Sequence, residues 1–438
     1  MALLIRKTFD FCTDTRWSPW LFSLALSLVY IGLAIVGANH FPEGKFLEVS
    51  ALALFSVCII LGAFHFKYLD RYLSGSCRRI SLDSNIFHFT LWGAFIVFMF
   101  ITLITAKDIP LVSAFKGANA DVLSLQRGAF LKGRTGVQSL LIYVDTLFMA
   151  TLLPFSLAGM FVEKNRFRYL AAVIFFFYSI CCLQKALFFY VGFPLVYLAV
   201  QHFRLKIWHY FAIVTGFLGI LFVLTFLASG KLREVKFFDD ALSGYFEKGH
   251  WDEAGESPRK RKPIEKSEFF SAQYQPKSTV DFIVWRSFAV PVFTAADTLI
   301  VFDKQFGGNY LKGATSGTLS RLFGLEPVSM ERHVFAYQWG WNDTANANAV
   351  FFVDAFVNFG LVGVLIYSII VGLGLRFFWK SKDVPFKSLW LIFCCLLFSG
   401  SLVGTLLSNG YVFVFVFVLV FRLVPSAVRA RDGVGIQN

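Results

Sequence analysis

"WLFSLALSLVYIGLAIVG", residues 20 to 37, carries no charged side chain and is long enough to cross a bilayer as a helix. A helix needs about 20 apolar residues to span a hydrocarbon core of about 30 Å. Runs of about 17 to 24 such residues recur along the chain, at the length that crossing demands. Composition agrees: 57% of residues are hydrophobic, 18% aromatic and only 16% charged, with a mean hydropathy of +0.63. Soluble domains carry roughly 25% charged residues. A transmembrane barrel would instead show alternating segments of roughly 10 residues. The expected fold is all-α, a polytopic membrane helix bundle of about 10 to 12 transmembrane helices, with residues 1–438 as one transmembrane domain.

Outward from that first run, lysine and arginine orient the chain. Arg6, Lys7 and Arg16 precede it without a cleavage pattern, which predicts a retained helix with a cytoplasmic N-terminus. Lys67, Arg71, Arg78 and Arg79, then Lys164, Arg166 and Arg168, mark cytoplasmic loops; Arg376, Lys380, Lys382 and Lys387 mark another, and Arg422, Arg429 and Arg431 a cytoplasmic tail. Residues 107–138 and 303–346 then fall on the far side. The seven cysteines (Cys12, Cys58, Cys77, Cys181, Cys182, Cys394 and Cys395) form neither a disulfide framework nor a zinc spacing.

The middle of the chain admits two readings. Residues 168–202 are apolar except at Gln184 and Lys185, and as one helix they would be about 50 Å long. Two short helices hinged at Gln184 and Lys185, followed by a crossing at 207–228, put 229–280 on the far side. Parity then makes 281–302 re-entrant or interfacial, which Arg286, Pro291 and Asp297 suit. Alternatively 168–202 is one tilted helix, 229–280 is cytoplasmic and 281–302 spans. Residues 249–266, polar and Pro-interrupted, predict a mobile loop within 229–280. The formal charge of +13 lies largely in cytoplasmic loops and ends, where it reflects topology and anionic lipid; no nucleic-acid partner is expected.

Candidate chemistry collects on the far side. In "NDTANANAVFFVDAFVNFG" (342–360), Asn346 and Asn348 precede an inward-running helix whose free N–H groups they would cap, at an end that attracts phosphate. Asp354 and Asn358 share one face of that helix, as residues beside a cavity or as interhelical glue. Lys116, Arg127, Lys132, Arg134, Lys185, Arg286, Arg321 and Arg332 form an excess of far-side cations suited to a pyrophosphate, Arg127, Arg286 and Arg332 above all. His333, near Glu326, Glu331 and Asp343, is a candidate general base, and Asp354 its rival. The chain has no GxGxxG, Walker A, HExxH, GxSxG or Asp-X-Asp motif, so neither a metal, a cofactor nor a nucleotide-sugar donor is expected.

Several stretches resemble a known family: "WRSFAVP" (285–291), "QFGGNYLKG" (305–313), "EPVSMERHVF" (326–335) and "NANAVFFVDAFVNFGLVG" (346–363), with "LQRGAF" (125–130) and "LQKALFF" (183–189) upstream. They look like the O-antigen polymerases of Gram-negative bacteria, the Wzy type. The resemblance is densest over 281–363 and architectural elsewhere.

It implies a metal-independent, glycosyltransferase-C-like enzyme of the inner membrane with a periplasmic active site and cytoplasmic termini. The growing glycan would leave one undecaprenyl pyrophosphate for the terminal sugar of a second lipid-linked repeat unit. A chain-length regulator is an implied partner. On this resemblance 107–138 is the first large periplasmic loop and 281–346 the re-entrant or periplasmic segment carrying the site. The catalytic candidates are His333 and Asp354; those for pyrophosphate or glycan are Arg127, Arg134, Lys185, Arg286, Arg332, Asn346 and Asn348. An O-antigen ligase transferring to lipid A core and a transporter of lipid-linked oligosaccharide are the alternatives.

Overall fold

The computed structural model describes residues 2–70, 80–118, 136–203, 284–339 and 347–424, with isolated positions at 123, 126, 127, 130, 131, 134, 215, 216, 219, 269–272, 274 and 281. The expected crossing at 207–228 and loop at 229–280 lie outside the described residues apart from those positions, as do Lys132, Asp343 and Asn346 entirely.

The described chain is almost wholly helical. It begins with α1 (Ala2–Thr13). The first long helix, α2 (Ser18–His40), passes through a π turn at Ser27–Leu33 and is followed by α3 (Phe46–Phe64). Strand β1 (Ile80–Asp83) leads into α4 (Ser84–Ile104), then come α5 (Gln138–Val162), α6 (Arg168–Cys181) and α7 (Lys185–Tyr197), whose last turn runs on to His202. After these come α8 (Trp285–Phe306), α9 (Gly317–Phe323), α10 (Met330–Trp339), α11 (Phe351–Lys380), α12 (Trp390–Phe398), α13 (Tyr411–Val420) and β2 (Phe421–Val424). Among the described residues six helices, α2, α3, α4, α5, α8 and α11, are long and apolar enough to cross a membrane; α6, α7, α12 and α13 are shorter and apolar. The chain is a multi-pass membrane protein.

The bundle has two faces. At one, the α2–α3 turn carries Lys45, whose ammonium bonds to Asp303 at 2.8 Å and to Glu48 at 2.5 Å. At the other, Arg376 near the end of α11 bonds to Asp70 through Nε at 2.6 Å and to the carbonyl of Phe64, the last residue of α3. That guanidinium is buried, so the carboxylate and the free helix-end carbonyl replace its lost water. Between the faces α3 and α11 lie parallel and in constant register: Ser56 meets Ser368 at 2.7 Å, and Gly372 packs on the carbonyl of Ile60.

The stretch 168–202 is two helices. The break at Cys182–Gln184 takes a left-handed turn at Leu183 (φ 48°), and Leu183 and Phe188 pack under Ala114 and Leu123 of the 107–138 segment. Gln201 at the far end of α7 donates to Asp10 O and to Thr13 Oγ1, beside the start of α2. The two helices therefore run as an antiparallel pair.

Residues 281–302 depart from the re-entrant expectation in one respect: Trp285–Phe306 is a single helix of spanning length. Pro291 is accommodated because it follows the π turn Trp285–Ala289, which reroutes the hydrogen bonds its ring would otherwise block. The start of α8 lies beside the middle of α2, with Val284 and Phe288 sharing an apolar groove with Leu28, Val29 and Leu33. Its end reaches the Lys45 face, where Phe270 also lies against His40 and Phe46.

Two elements double back inside the bundle. Helix α11 bends at Gly360, whose φ of 65° and ψ of −154° belong to glycine alone. Gly363 consequently packs on the carbonyl of Ala355, eight residues earlier, which a straight helix would hold about 12 Å away. The first half, 351–359, thus runs toward the Lys45 face, and the second half returns to Arg376.

The other hairpin is α12–α13. It leaves the Asp70 face, where Trp390 Nε1 donates to Thr13 O, and Tyr30 Oη donates to Phe398 O near its tip. It turns against the middle of α5, whose Thr146 donates to Ser408 O at 3.1 Å and Thr151 to Asn409 O. It ends in β2, which pairs in parallel with β1, Ile80 opposite Phe421.

Candidate functional site

A cavity of about 190 Å³ opens where these pieces converge near the Lys45 face. Thr298 of α8, Thr315 of the loop before α9, Glu331 and Arg332 of α10, Asp354 of α11 and Ser401 from the tip of the α12–α13 hairpin all line it. They come from five separate stretches of chain, so the cavity exists only because α11 and the hairpin fold back.

The fold-back at Gly360 sets Asp354 in place. The loop before α9 is held on the end of the first half of α11: Leu311 N donates to Val357 O at 3.1 Å, and Lys312 N to Asn358 O at 2.8 Å. Asn358, fully buried, accepts from Gly313 N at 2.9 Å. Its amide donates to Thr315 Oγ1 at 2.7 Å and to Asp354 O at 2.8 Å, with Asp354 Oδ1 at 3.2 Å. Thr315 Oγ1 donates to Asp354 Oδ1 at 2.9 Å. The carboxylate is thus bound by neutral donors on one oxygen while the residue lines the cavity.

Of the expected cations that fall among the described residues, Arg332 alone lines this cavity, exposed at its mouth. Arg134 is engaged elsewhere. Its guanidinium bonds to Thr102 O at 2.8 Å, to Thr105 Oγ1 and to Phe130 O at 3.0 Å, so it satisfies the C-terminal end of α4. Desolvation there lowers its pKa from the ordinary arginine value. Arg127 is half-buried in the 107–138 segment and does not line the cavity. Arg286, exposed in the π turn of α8, lies about 18 Å along the helix from Thr298. Lys185 begins α7.

His333 does not line the cavity; its ring lies edge-on to Phe306 at 5.4 Å. Asn348 does not cap α11. The N-cap is Val350, in extended backbone and without a side-chain bond, and the side-chain amide of Asn348, two residues earlier, faces both oxygens of Glu331, which calls for its nitrogen on that side. The extended segment 347–350 is fixed by Ala347 N donating to Glu331 O at 3.1 Å. Among the described residues no group of histidine, cysteine or carboxylate side chains is arranged to hold a metal ion.

Sequence reasoning missed Thr315 and Ser401. Thr315 stands in "GATSG" (313–317) and Ser401 in "FSGSLVG" (398–404), where small residues interrupt apolar context. That interruption was the only local sign available.

Comparison with family models, with curated proteins and with solved structures finds no match.

Proposed function

We propose that the chain is a membrane glycosyltransferase of the O-antigen polymerase kind, acting on undecaprenyl-pyrophosphate-linked repeat units at the Lys45 face. The observation that carries this reading is one cavity lined by both Arg332 and Asp354, an arginine fork and a carboxylate from separate elements. In the proposed reaction Asp354 takes the proton of the acceptor hydroxyl, whose oxygen attacks the anomeric carbon of the donor glycan. The bond to undecaprenyl pyrophosphate breaks, and Arg332 meets the charge that grows on the leaving pyrophosphate.

Further features support the reading. The cavity falls below the roughly 300 to 1,000 Å³ of a site that encloses a whole small molecule, so it suits the reacting groups alone, with glycan extending outward. Lysine and arginine of the loops favour the Lys45 face as the outer one, since Arg16, Lys164 and Lys380 lie toward the other. The six helices of spanning length among the described residues suit a multi-pass membrane enzyme.

The α12–α13 hairpin favours a second reading, transport of lipid-linked oligosaccharide. It enters from the Asp70 face, yet its Ser401 lines the same cavity, and broken helices meeting at mid-bundle build the sites of many transporters.

The deciding experiment reconstitutes the purified chain in lipid vesicles with undecaprenyl-pyrophosphate-linked repeat units, without nucleotide or metal. A product ladder spaced by one repeat supports polymerisation. Transfer only when lipid A core is added makes it a ligase, and movement of the labelled lipid across the bilayer without new glycosidic bonds makes it a transporter.

A further inference from the structure

The geometry points to Thr315 as the residue that positions Asp354 and decides which of its two oxygens accepts the proton. This rests on the reading of Asp354 as general base. Gly313 N–H points at Asn358 Oδ1 at 2.9 Å, which fixes the amide orientation, since a flipped amide would set N–H against N–H. Asn358 then has two N–H groups, and its two closest acceptors are Thr315 Oγ1 and Asp354 O.

Thr315 Oγ1 accepts one of them, so its single O–H is free to point only at the other neighbour, Asp354 Oδ1. The run of donors is therefore one-way: Gly313 N–H to Asn358, Asn358 N–H to Thr315, Thr315 O–H to Asp354 Oδ1. With Oδ1 already accepting, a proton from the substrate goes to Oδ2, the oxygen left to the cavity. Thr315 belongs to the loop before α9, not to α11, so the base is aligned only while that loop is docked on the fold-back at Gly360. Thr315 is thus a positioning residue, touching the carboxylate rather than the reacting atoms.

The test compares Thr315→Val, which keeps the shape and removes the O–H, with Thr315→Ser, which keeps the O–H. Steady-state rates are read in the vesicle assay above. Thr315→Val is expected to lower kcat about 10- to 100-fold, the scale of a lost hydrogen bond to a charged group, with KM unchanged within about 2-fold. Thr315→Ser is expected to recover kcat to within about 3-fold of wild type, because the donor is retained. Wild-type rates in Thr315→Val overturn the assignment. So does a fall that moves kcat and KM together, or one that Thr315→Ser does not recover, since either marks a structural role. If the wild-type chain forms no glycosidic bond at all, the proposed function fails, and this assignment with it.

Discussion

The ring of Tyr310 occupies the space into which a side chain on Gly360 would project. A Cβ there would lie 2.8 Å from the phenol, at a backbone conformation closed to other residues. Gly360→Ala therefore meets a double penalty of about 2 to 5 kcal/mol from strain and overpacking. The expected outcome is a markedly lowered melting temperature in detergent, read by differential scanning fluorimetry. An unchanged melting temperature would mean that α11 does not fold back.

The cavity assigns different weights to the candidate residues. Asp354→Asn is expected to lower kcat by about 100-fold or more, the usual cost of removing a general base. Arg332→Ala is expected to lower it by about 10- to 100-fold, short of the largest losses for an anion-stabilising donor because the guanidinium is exposed. His333→Ala and Arg286→Ala should stay within about 3-fold, since neither side chain reaches the cavity and catalysis falls off with misplacement. A ladder assay that loses activity in His333→Ala but not in Asp354→Asn would reverse the assignment of the base.

Arg134→Met separates a structural arginine from a substrate-binding one. The guanidinium satisfies the end of α4 through Thr102 O and ties it to Phe130 O of the 107–138 segment, so its loss should destabilise the fold by about 1 to 3 kcal/mol. Thermal unfolding should detect this, while the folded fraction keeps its specific activity. Intact stability with lost activity would place Arg134 on the substrate.

The Lys45–Asp303 pair gives a pH signature. Hydrogen bonds to Asp303 and then Glu48 hold the Lys45 ammonium above the ordinary lysine range. A raised value means that the folded state binds this proton more tightly than the unfolded one. The contribution is therefore fully present below the ordinary lysine range and is lost as pH rises through the raised value. Lys45→Met should melt no more than about 2 °C below wild type near neutral pH, because so exposed a pair contributes at most about 1 kcal/mol. The gap should close only in strongly alkaline solution. A gap that closes near pH 7 would assign the contact to another group.

The helical membrane architecture was legible because apolar length is a local property: α2, α3, α4, α5 and α11 stand where the runs are. The break in 168–202 was legible too, since Gln184 and Lys185 interrupt an otherwise apolar stretch. The reversal at Gly360 was not, because glycine within an apolar helix reads equally as a packing residue, and only Tyr310 and Gly363 reveal the turn. For the same reason Asp354 was seen as a cavity residue without its partner. Thr315 lies 39 positions away, and no periodicity links a loop hydroxyl to a helix carboxylate. The roles of the cations were legible only in part: charge told which residues avoid lipid, while Arg134 shows that a helix end can use a guanidinium as fully as a substrate can.

The pairing of β1 with β2 has a consequence for biogenesis. Ile80 leaves the ribosome early, and Phe421, its partner, roughly 340 residues later, at about 5 to 20 residues per second. For that interval β1 is an unpaired edge at the membrane surface, open to pairing with the wrong strand. Ser368 and Phe398 likewise reach Ser56 and Tyr30 only late in synthesis. The early helices must therefore wait in the bilayer for their last partners, and a chain halted before β2 should be a substrate for membrane quality-control proteolysis even with every long helix inserted.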